Sequence, residues 1–520
     1  MEISNARIAS IKREIKPYNS YIVPGLIDSH IHIESSMLIP SEFARLATPH
    51  GTVAAVSDPH EIANVCGVEG VRFMIKNGGS VPFKFYFGAP SCVPSTPFET
   101  AGYTLGINEI RELLMSDNIK YLSEMMNFPG VINDFPDVLA KLDLAKSLGK
   151  PIDGHAPGLR SESCKKYIAS GISTDHECVS LEEAIEKITY GMKIHIREGS
   201  AARNFDELAP LISTHTDSVM FCSDDKHPDE LCLSHINDMV KRALKKGFSI
   251  MKILRVASLN PVKHYGLDVG LLREGDFADF IIVDNLTEFN ILETYINGSL
   301  VAKDGKTLIE RKHPEPLNNF KTQRKTEEDF KITAKPGMIK AIVAEDGQII
   351  TKMELVKPKI EGACAISDTD RDLLKIAVVN RYENVAPMIG FIKNFGLKTG
   401  AIASSIAHDS HNIITVGVSD TDICHAVNSV IERRGGISAV YAGKEDILPL
   451  PFGGIMSDSD GYEVAKRYRI IDNMAKEMGC TVKSPYMLLS FMALVVIPAL
   501  KISDKGLFDV DSFTFTELFV

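Results

Sequence analysis

Eight times between residue 21 and about residue 230 the chain passes through an apolar or β-branched stretch, a polar tip and a segment of helical character. The stretches are YIVPGLIDSHIH, TVAAVSDPHE, FKFYFGAPS, IKYLSEMMN, PIDGHAPG, GISTDHE, MKIHIREGS and SVMFCSDDKH. Strands alternating with helices imply parallel βα units, because a parallel neighbour is reached only through a crossover. Eight such units within about 200 to 250 residues match a closed (β/α)8 barrel. Nearly every stretch ends in His, Glu or Asp, and in such barrels the C-terminal strand ends share one mouth. Residues remote in sequence are thereby predicted to meet.

The chain has 520 residues, more than one ordinary core accommodates. After the barrel, REGDFADFIIVDN and ETYINGSLVAKDG alternate apolar residues with Asp-Asn and Asn-Gly turns, as a small β-sheet does. The opening EISNARIASIKREIK supplies one or two further strands. Residues 303 to 332 are highly charged and read as an exposed crossing, and 333 to 520 carries strands (MIKAIVAEDGQII, HNIITVGVS) and helices (DTDICHAVNSVIERRGG) of its own. The predicted class is α/β, a TIM-like (β/α)8 barrel over 23–270. A small flanking β-sandwich subdomain is predicted from 1–22 with 271–320, and a C-terminal α+β domain over 333–520.

Composition removes several function classes. A formal charge of -11 argues against nucleic acid, whose binding relies on clustered Lys and Arg. The most apolar late stretch, LLSFMALVVIPAL, falls short of the roughly 20 residues that span a bilayer and contains Pro498, so a buried helix or strand is expected. The first residues show no apolar core of signal-peptide length. Nine cysteines without a Cys-x-x-Cys pair fit a reducing cytoplasm and give no zinc-finger spacing. The expectation is a cytoplasmic protein with a small-molecule substrate and neither a nucleic-acid nor a membrane partner.

In DSHIHIESS, Asp28, His30 and His32 alternate, so on a strand they project from one face. Alone, His-x-His is more often a solvated loop than a metal site. The other tips change that balance: Glu124 on the fourth strand, His155 on the fifth, His176 on the sixth and Asp224 on the eighth. Four imidazoles and two carboxylates suffice to hold two divalent ions about 3.5 Å apart, with a carboxylate and a hydroxide bridging them.

PGLIDSHIHIESS, GHAPGL, STDHE and CSDD resemble the amidohydrolase superfamily of metal-dependent hydrolases. SDPHEIANVCG, EMMNFPGV, CSDDKHPDEL, ASLNPVKHYGL and HDSHNIITVG are similar to its adenine deaminases over essentially the whole chain. The resemblance implies that His30, His32 and Asp224 bind one metal and that His155 and His176 bind the other. It implies Glu124 as the bridge in place of the carboxylated lysine of many relatives, with Lys120 lying outside the matching stretch. It further implies manganese or iron(II), a homodimer, and hydrolysis of adenine to hypoxanthine and ammonia in purine salvage. Only some 20 residues precede PGLID, fewer than the superfamily pattern, so a reduced β subdomain is expected.

The chemistry needs proton carriers at the hydroxide, at the ring nitrogen beside C6 and at the leaving amine. Asp224 is assigned the shuttle and Glu61 the ring proton, with Asp58 and His60 beside it. The competing reading makes Asp58 and Glu61 a helix-capping pair, and a further one gives the trio an extra metal ion. Arg197 and Ser200 are candidates for contact with the purine, Arg197 alternatively pairing with Glu198 or another neighbour. Asp225 and His227 are candidates for orienting Asp224. Glu34 is placed outside the ligand set, Cys222 in the core, and His408, Asp409 and His411 on a structural loop or lid. The rival functions are another amidohydrolase reaction on a cyclic amidine or amide, and a non-catalytic scaffold.

Overall fold

In the computed structural model, which describes residues 1–520 apart from 15, 17 and 201, each of the eight stretches contributes a short parallel strand. The barrel strands are Leu26–Ile31, Thr52–Ser57, Lys84–Ala89, Ile119–Met125, Ile152–Gly154, Thr174–Asp175, Lys193–Arg197 and Val219–Cys222. They are almost wholly buried, as expected where helices cover the outer face. The first to fifth strands pair in order, and so do the sixth to eighth. The Ser173 N–H donates to the Ile152 carbonyl (2.9 Å) between the fifth and sixth strands. The Asp224 N–H donates to the His30 carbonyl (3.0 Å), which joins the eighth strand to the first. Gly154 permits the tight approach of the fifth strand to the sixth, since a Cβ there would lie 2.4 Å from the Thr174 carbonyl oxygen.

Beneath the fifth and sixth tips, Lys187 is fully buried. Its ammonium donates to the Ala156 carbonyl (2.7 Å), Asp175 (2.9 Å) and Glu183 (2.7 Å). Desolvation alone would depress its pKa, but Asp175 and Glu183 outweigh it and hold the amine charged. Lys187→Met is expected to cost about 3–5 kcal/mol, because it strands a buried carboxylate directly before His176. The check is the denaturation midpoint, followed by near-UV circular dichroism.

The flanking subdomain is an antiparallel sheet in which Tyr21–Pro24 pairs with Phe280–Val283, followed by Ile291–Ile296, Ser299–Lys303 and Lys306–Thr307. Its first strand runs across the expected boundary at residues 22 and 23. A hairpin of Glu2–Ser4 and Arg7–Ser10 adds two strands from the opening segment and is tied on by Ile8 N–H to the Asp276 carbonyl (2.9 Å). Residues 308 to 326 have no helix or strand and cross to the last domain.

That domain centres on an eight-stranded sheet, with Leu373–Val379, Ile413–Gly417, Ala401–Ser404 and Gly436–Tyr441 in its buried middle. The helix Asp420–Arg433 packs against these central strands. LLSFMALVVIPAL becomes the end of the helix Pro485–Phe491, a turn, and the start of the strand Leu500–Ser503. No helix among the described residues is long and apolar enough to cross a membrane.

The last domain sits on the mouth of its own chain's barrel. Ser457 N–H donates to the Met37 carbonyl (2.8 Å), Arg45 pairs with Asp460 (2.9 Å), and Asn412 donates to the Thr100 carbonyl (2.9 Å).

Candidate metal centre and active site

The six sequence-assigned tips converge on Glu124. Its carboxylate oxygens lie 3.4 Å from His32 Nε2, 3.1 Å from His155 Nδ1 and 3.2 Å from His176 Nε2. Asp224 approaches His32 Nε2 at 3.2 Å and His30 Nε2 at 3.7 Å. The rings of His30 and His176 stack at 4.2 Å. His32 Nδ1 donates to the Asp58 main-chain carbonyl (3.2 Å), which leaves Nε2, the nitrogen facing both carboxylates, as the one that would serve a metal. Tyr167 joins the fourth and fifth tips by donating to the Met125 carbonyl (2.7 Å) and accepting from the His155 N–H (3.0 Å). Asp224 has a left-handed backbone (φ 54°), which turns its carboxylate back toward the mouth.

This donor set suits divalent cations. His30, His32 and Asp224 present ligand atoms within 4.8 Å of one another, as do His30, Glu124 and His176. Both ring nitrogens of His30 are buried without a hydrogen-bond partner, a costly arrangement for an imidazole with no ion to serve. Lys120 lies in the same strand as Glu124 but, unlike Glu124, does not line the cavity.

Asp28 does not join its neighbours. Strand pairing is irregular between Asp28 and Ile31, and the Asp28 carboxylate goes to the Ser223 N–H (3.0 Å) and to His235 Nε2 (2.8 Å). Glu34 stays outside the cluster and accepts from the Ile62 N–H (3.2 Å); burial pushes its carboxyl up to about 7.

The second tip shows the largest departure from local expectation. The capping pair is not formed: the helix His60–Gly78 has Pro59 at its N-cap position with no side-chain cap. Asp58 instead accepts from the His60 N–H (3.1 Å) and faces His60 Nδ1 (3.2 Å). Glu61 is gripped by the last domain, with His408 Nδ1 2.7 Å from one oxygen and His411 Nε2 in close contact with the other. Burial raises the Glu61 pKa, but His408 and His411 outweigh it and hold the carboxylate well below its usual range. Burial lowers His408, Glu61 outweighs that, and the imidazole rises to about 9. The pair therefore keeps one proton at neutral pH. The loop expected to be structural or a lid thus carries side chains into the mouth, where His408 and Asp409 line the cavity.

Arg197 takes the alternative assigned to it, since its guanidinium donates to Glu177 and to Asp224 (2.6 Å). Ser200 is withdrawn as a purine contact: its hydroxyl donates to Glu230 (2.9 Å) and accepts from the His227 N–H (2.9 Å). His227 does not orient Asp224 either, because its ring packs edge-on against Tyr468 at 4.9 Å. Asp225 lines the cavity and accepts from Ser35 (2.5 Å). Cys222 is a buried core residue.

Beyond the apolar lining, two ionisable residues in or beside the site escaped the sequence reading. Glu177 lies 3.3 Å from His176 Nε2 and also binds Arg197. The sixth strand ends at Asp175, so strict alternation no longer separates His176 from its neighbour. His195 is buried 6.0 Å from His30, with both nitrogens unpartnered. Its position two residues before Arg197, on the same strand face, was the available signal.

Residues 21–301 match the amidohydrolase family, and residues 348–514 match the adenine deaminase C-terminal domain. Curated adenine deaminases resemble the chain over its length. That of Sulfurovum sp. (strain NBC37-1) is 55% identical, with 99% of this chain and 96% of the relative covered. That of Methanosarcina mazei is 52% identical at the same coverages, and that of Borreliella burgdorferi 49% identical over 99% and 95%.

The chain belongs to the adenine deaminase family.

Within the wider amidohydrolase family, catalysis depends on metal, and this adenine deaminase relative carries the buried His, Asp and Glu cluster that such dependence requires. The contacts between its barrel and its adenine deaminase C-terminal domain bring His408 and His411 to Glu61.

Proposed function

We propose that this chain hydrolyses adenine to hypoxanthine and ammonia, as a cytoplasmic enzyme of purine salvage, with two manganese or iron(II) ions per chain. The division into residues 1–22 with 271–320, 23–270 and 333–520 is part of the same reading, with its first boundary moved past Pro24 so that the strand Tyr21–Pro24 stays whole. The observation that carries it is the convergence of a His, Asp and Glu cluster from the barrel with the Glu61 clamp from the C-terminal domain. His30, His32 and Asp224 would hold one ion and His155 and His176 the other, with Glu124 between them. Ions bound there supply Lewis acidity, which makes water nucleophilic at neutral pH.

The protein's own groups account for the proton movements. Asp224, with Arg197 on one oxygen and His32 near the other, accepts the proton released as a C6–O bond forms. The Glu61–His408 pair holds the proton that the adjacent ring nitrogen needs. When the bond from C6 to the exocyclic nitrogen breaks, Asp224 returns its proton to the leaving amine, ammonia departs, and the proton of the C6 hydroxyl is released as the carbonyl forms, restoring the Glu61–His408 pair. Met126, Ile349, Phe491, Leu494 and Ile497 form apolar walls that exclude bulk water from a flat heterocycle.

The test is anaerobic purification, reconstitution with manganese, and chromatographic measurement of adenine loss against hypoxanthine and ammonia gain, with adenosine as decoy. Stoichiometric conversion of adenine alone supports the reading. Absence of turnover with two ions bound overturns it and turns attention to other cyclic amidines and amides.

A further inference from the structure

The apolar ceiling of the cavity comes from two separate segments of the C-terminal domain, one carrying Ile349 and the other Phe491, Leu494 and Ile497. They are stitched together along their edges. The Thr351 N–H donates to the Pro498 carbonyl (2.9 Å), its hydroxyl to the Leu500 carbonyl (2.9 Å), and the Ala499 N–H to the Thr351 carbonyl (3.2 Å). Behind this seam lies Lys501, fully buried on the strand Leu500–Ser503.

The Lys501 amine donates to the Ile349 carbonyl (2.7 Å) and to the Phe491 carbonyl (3.0 Å). Both acceptors belong to residues whose side chains line the cavity. Phe491 is the last residue of its helix, and its carbonyl, which takes only a long bond from the Leu494 N–H (3.3 Å) in the following turn, has room for the lysine donor. The Phe491 ring stacks on His408 at 4.6 Å and 13°, and His408 holds Glu61. One amine is thus connected to both halves of the ceiling and, through a single stacked ring, to the Glu61 clamp.

We propose that Lys501 is a positioning residue for the substrate, which fixes the height of the ceiling over the bound ring by bridging the main chain at Ile349 and Phe491. The proposal rests on the adenine reading above. Lys501 does not line the cavity, so it acts through the residues it ties. Among the described residues no carboxylate pairs with it, an unfavourable setting for an ammonium. Loss of hydration lowers its pKa to about 7, so the amine is readily neutral and still donates both hydrogen bonds. A lysine whose only polar contacts are these two carbonyls supplies geometry rather than charge pairing.

Lys501→Met keeps the stem and removes the donors. With the manganese-loaded full chain, KM for adenine is expected to rise roughly tenfold, with kcat held within about threefold and two ions still bound. In a Phe491→Leu background, which keeps both carbonyl acceptors but removes the ring stacked on His408, the same change must still raise KM through the Ile349 side of the bridge, though by less. A merely structural lysine predicts the opposite pattern, with lower yield of active enzyme and an unchanged KM, and that result overturns the proposal. If Lys501→Met does not fold, Lys501→Gln carries the test. Its shorter, neutral amide keeps a donor but does not reach both carbonyls, and KM must rise about threefold or more; an unchanged KM overturns the proposal. Failure of the unmodified enzyme to convert adenine would instead refute the adenine reading.

Discussion

Glu124→Ala is expected to lose roughly a thousandfold or more in kcat, and metal content is expected to fall from two ions per chain to one or none. Glu124 lies within 3.1–3.4 Å of His32, His155 and His176, imidazoles assigned to both ions. On the two-ion proposal, removing the carboxylate would take away negative charge between the dications and a ligand from each. In a buried setting that repulsion is poorly screened. Elemental analysis of the purified variant reads the metal loss independently of activity. Retention of two ions with most of the activity would show that Glu124 is not the bridge.

Glu61→Gln should behave differently: two ions retained, with kcat lower by about 10²–10⁴-fold, the range for loss of a positioned proton carrier. The substitution keeps the size of the side chain but removes the charge that His408 and His411 face. The His408 imidazole, held at about 9 chiefly by Glu61 against its burial, then loses that support. Its pKa must fall, and the proton stored at neutral pH is lost with it. The sign follows from burial favouring the neutral ring once the carboxylate is gone. A nuclear magnetic resonance titration of the His408 ring in the two proteins would read the shift, and a pKa unchanged at about 9 would refute the pairing. Metal analysis separates this variant from Glu124→Ala.

Much of the site was legible because a barrel converts local periodicity into convergence. An apolar run ending in a charged tip is visible within ten residues, and eight of them in parallel must share a mouth. His30, His32, Glu124, His155, His176 and Asp224 needed no further information to be grouped. Where periodicity stopped, so did the reading. Glu177 follows a strand of only two residues, and Asp28 lies at an irregular pairing, so alternation misplaces both. Ser200 and His227 sit beyond strand ends, where a loop can turn either way, and here it turns toward Glu230 and Tyr468.

The sequence by itself determined the order of strands, the barrel mouth and the kind of chemistry its ligands support, because these depend on spacing within short segments. Only the tertiary structure decided which acid Arg197 pairs with, that Glu61 is held by histidines from a different domain, and that Lys501 ties the ceiling. Those contacts join residues up to hundreds of positions apart. Their geometry is set by how strand ends meet within the barrel, how segments pack within the last domain and, for Glu61, how the two domains meet, and no local pattern of residues encodes that packing.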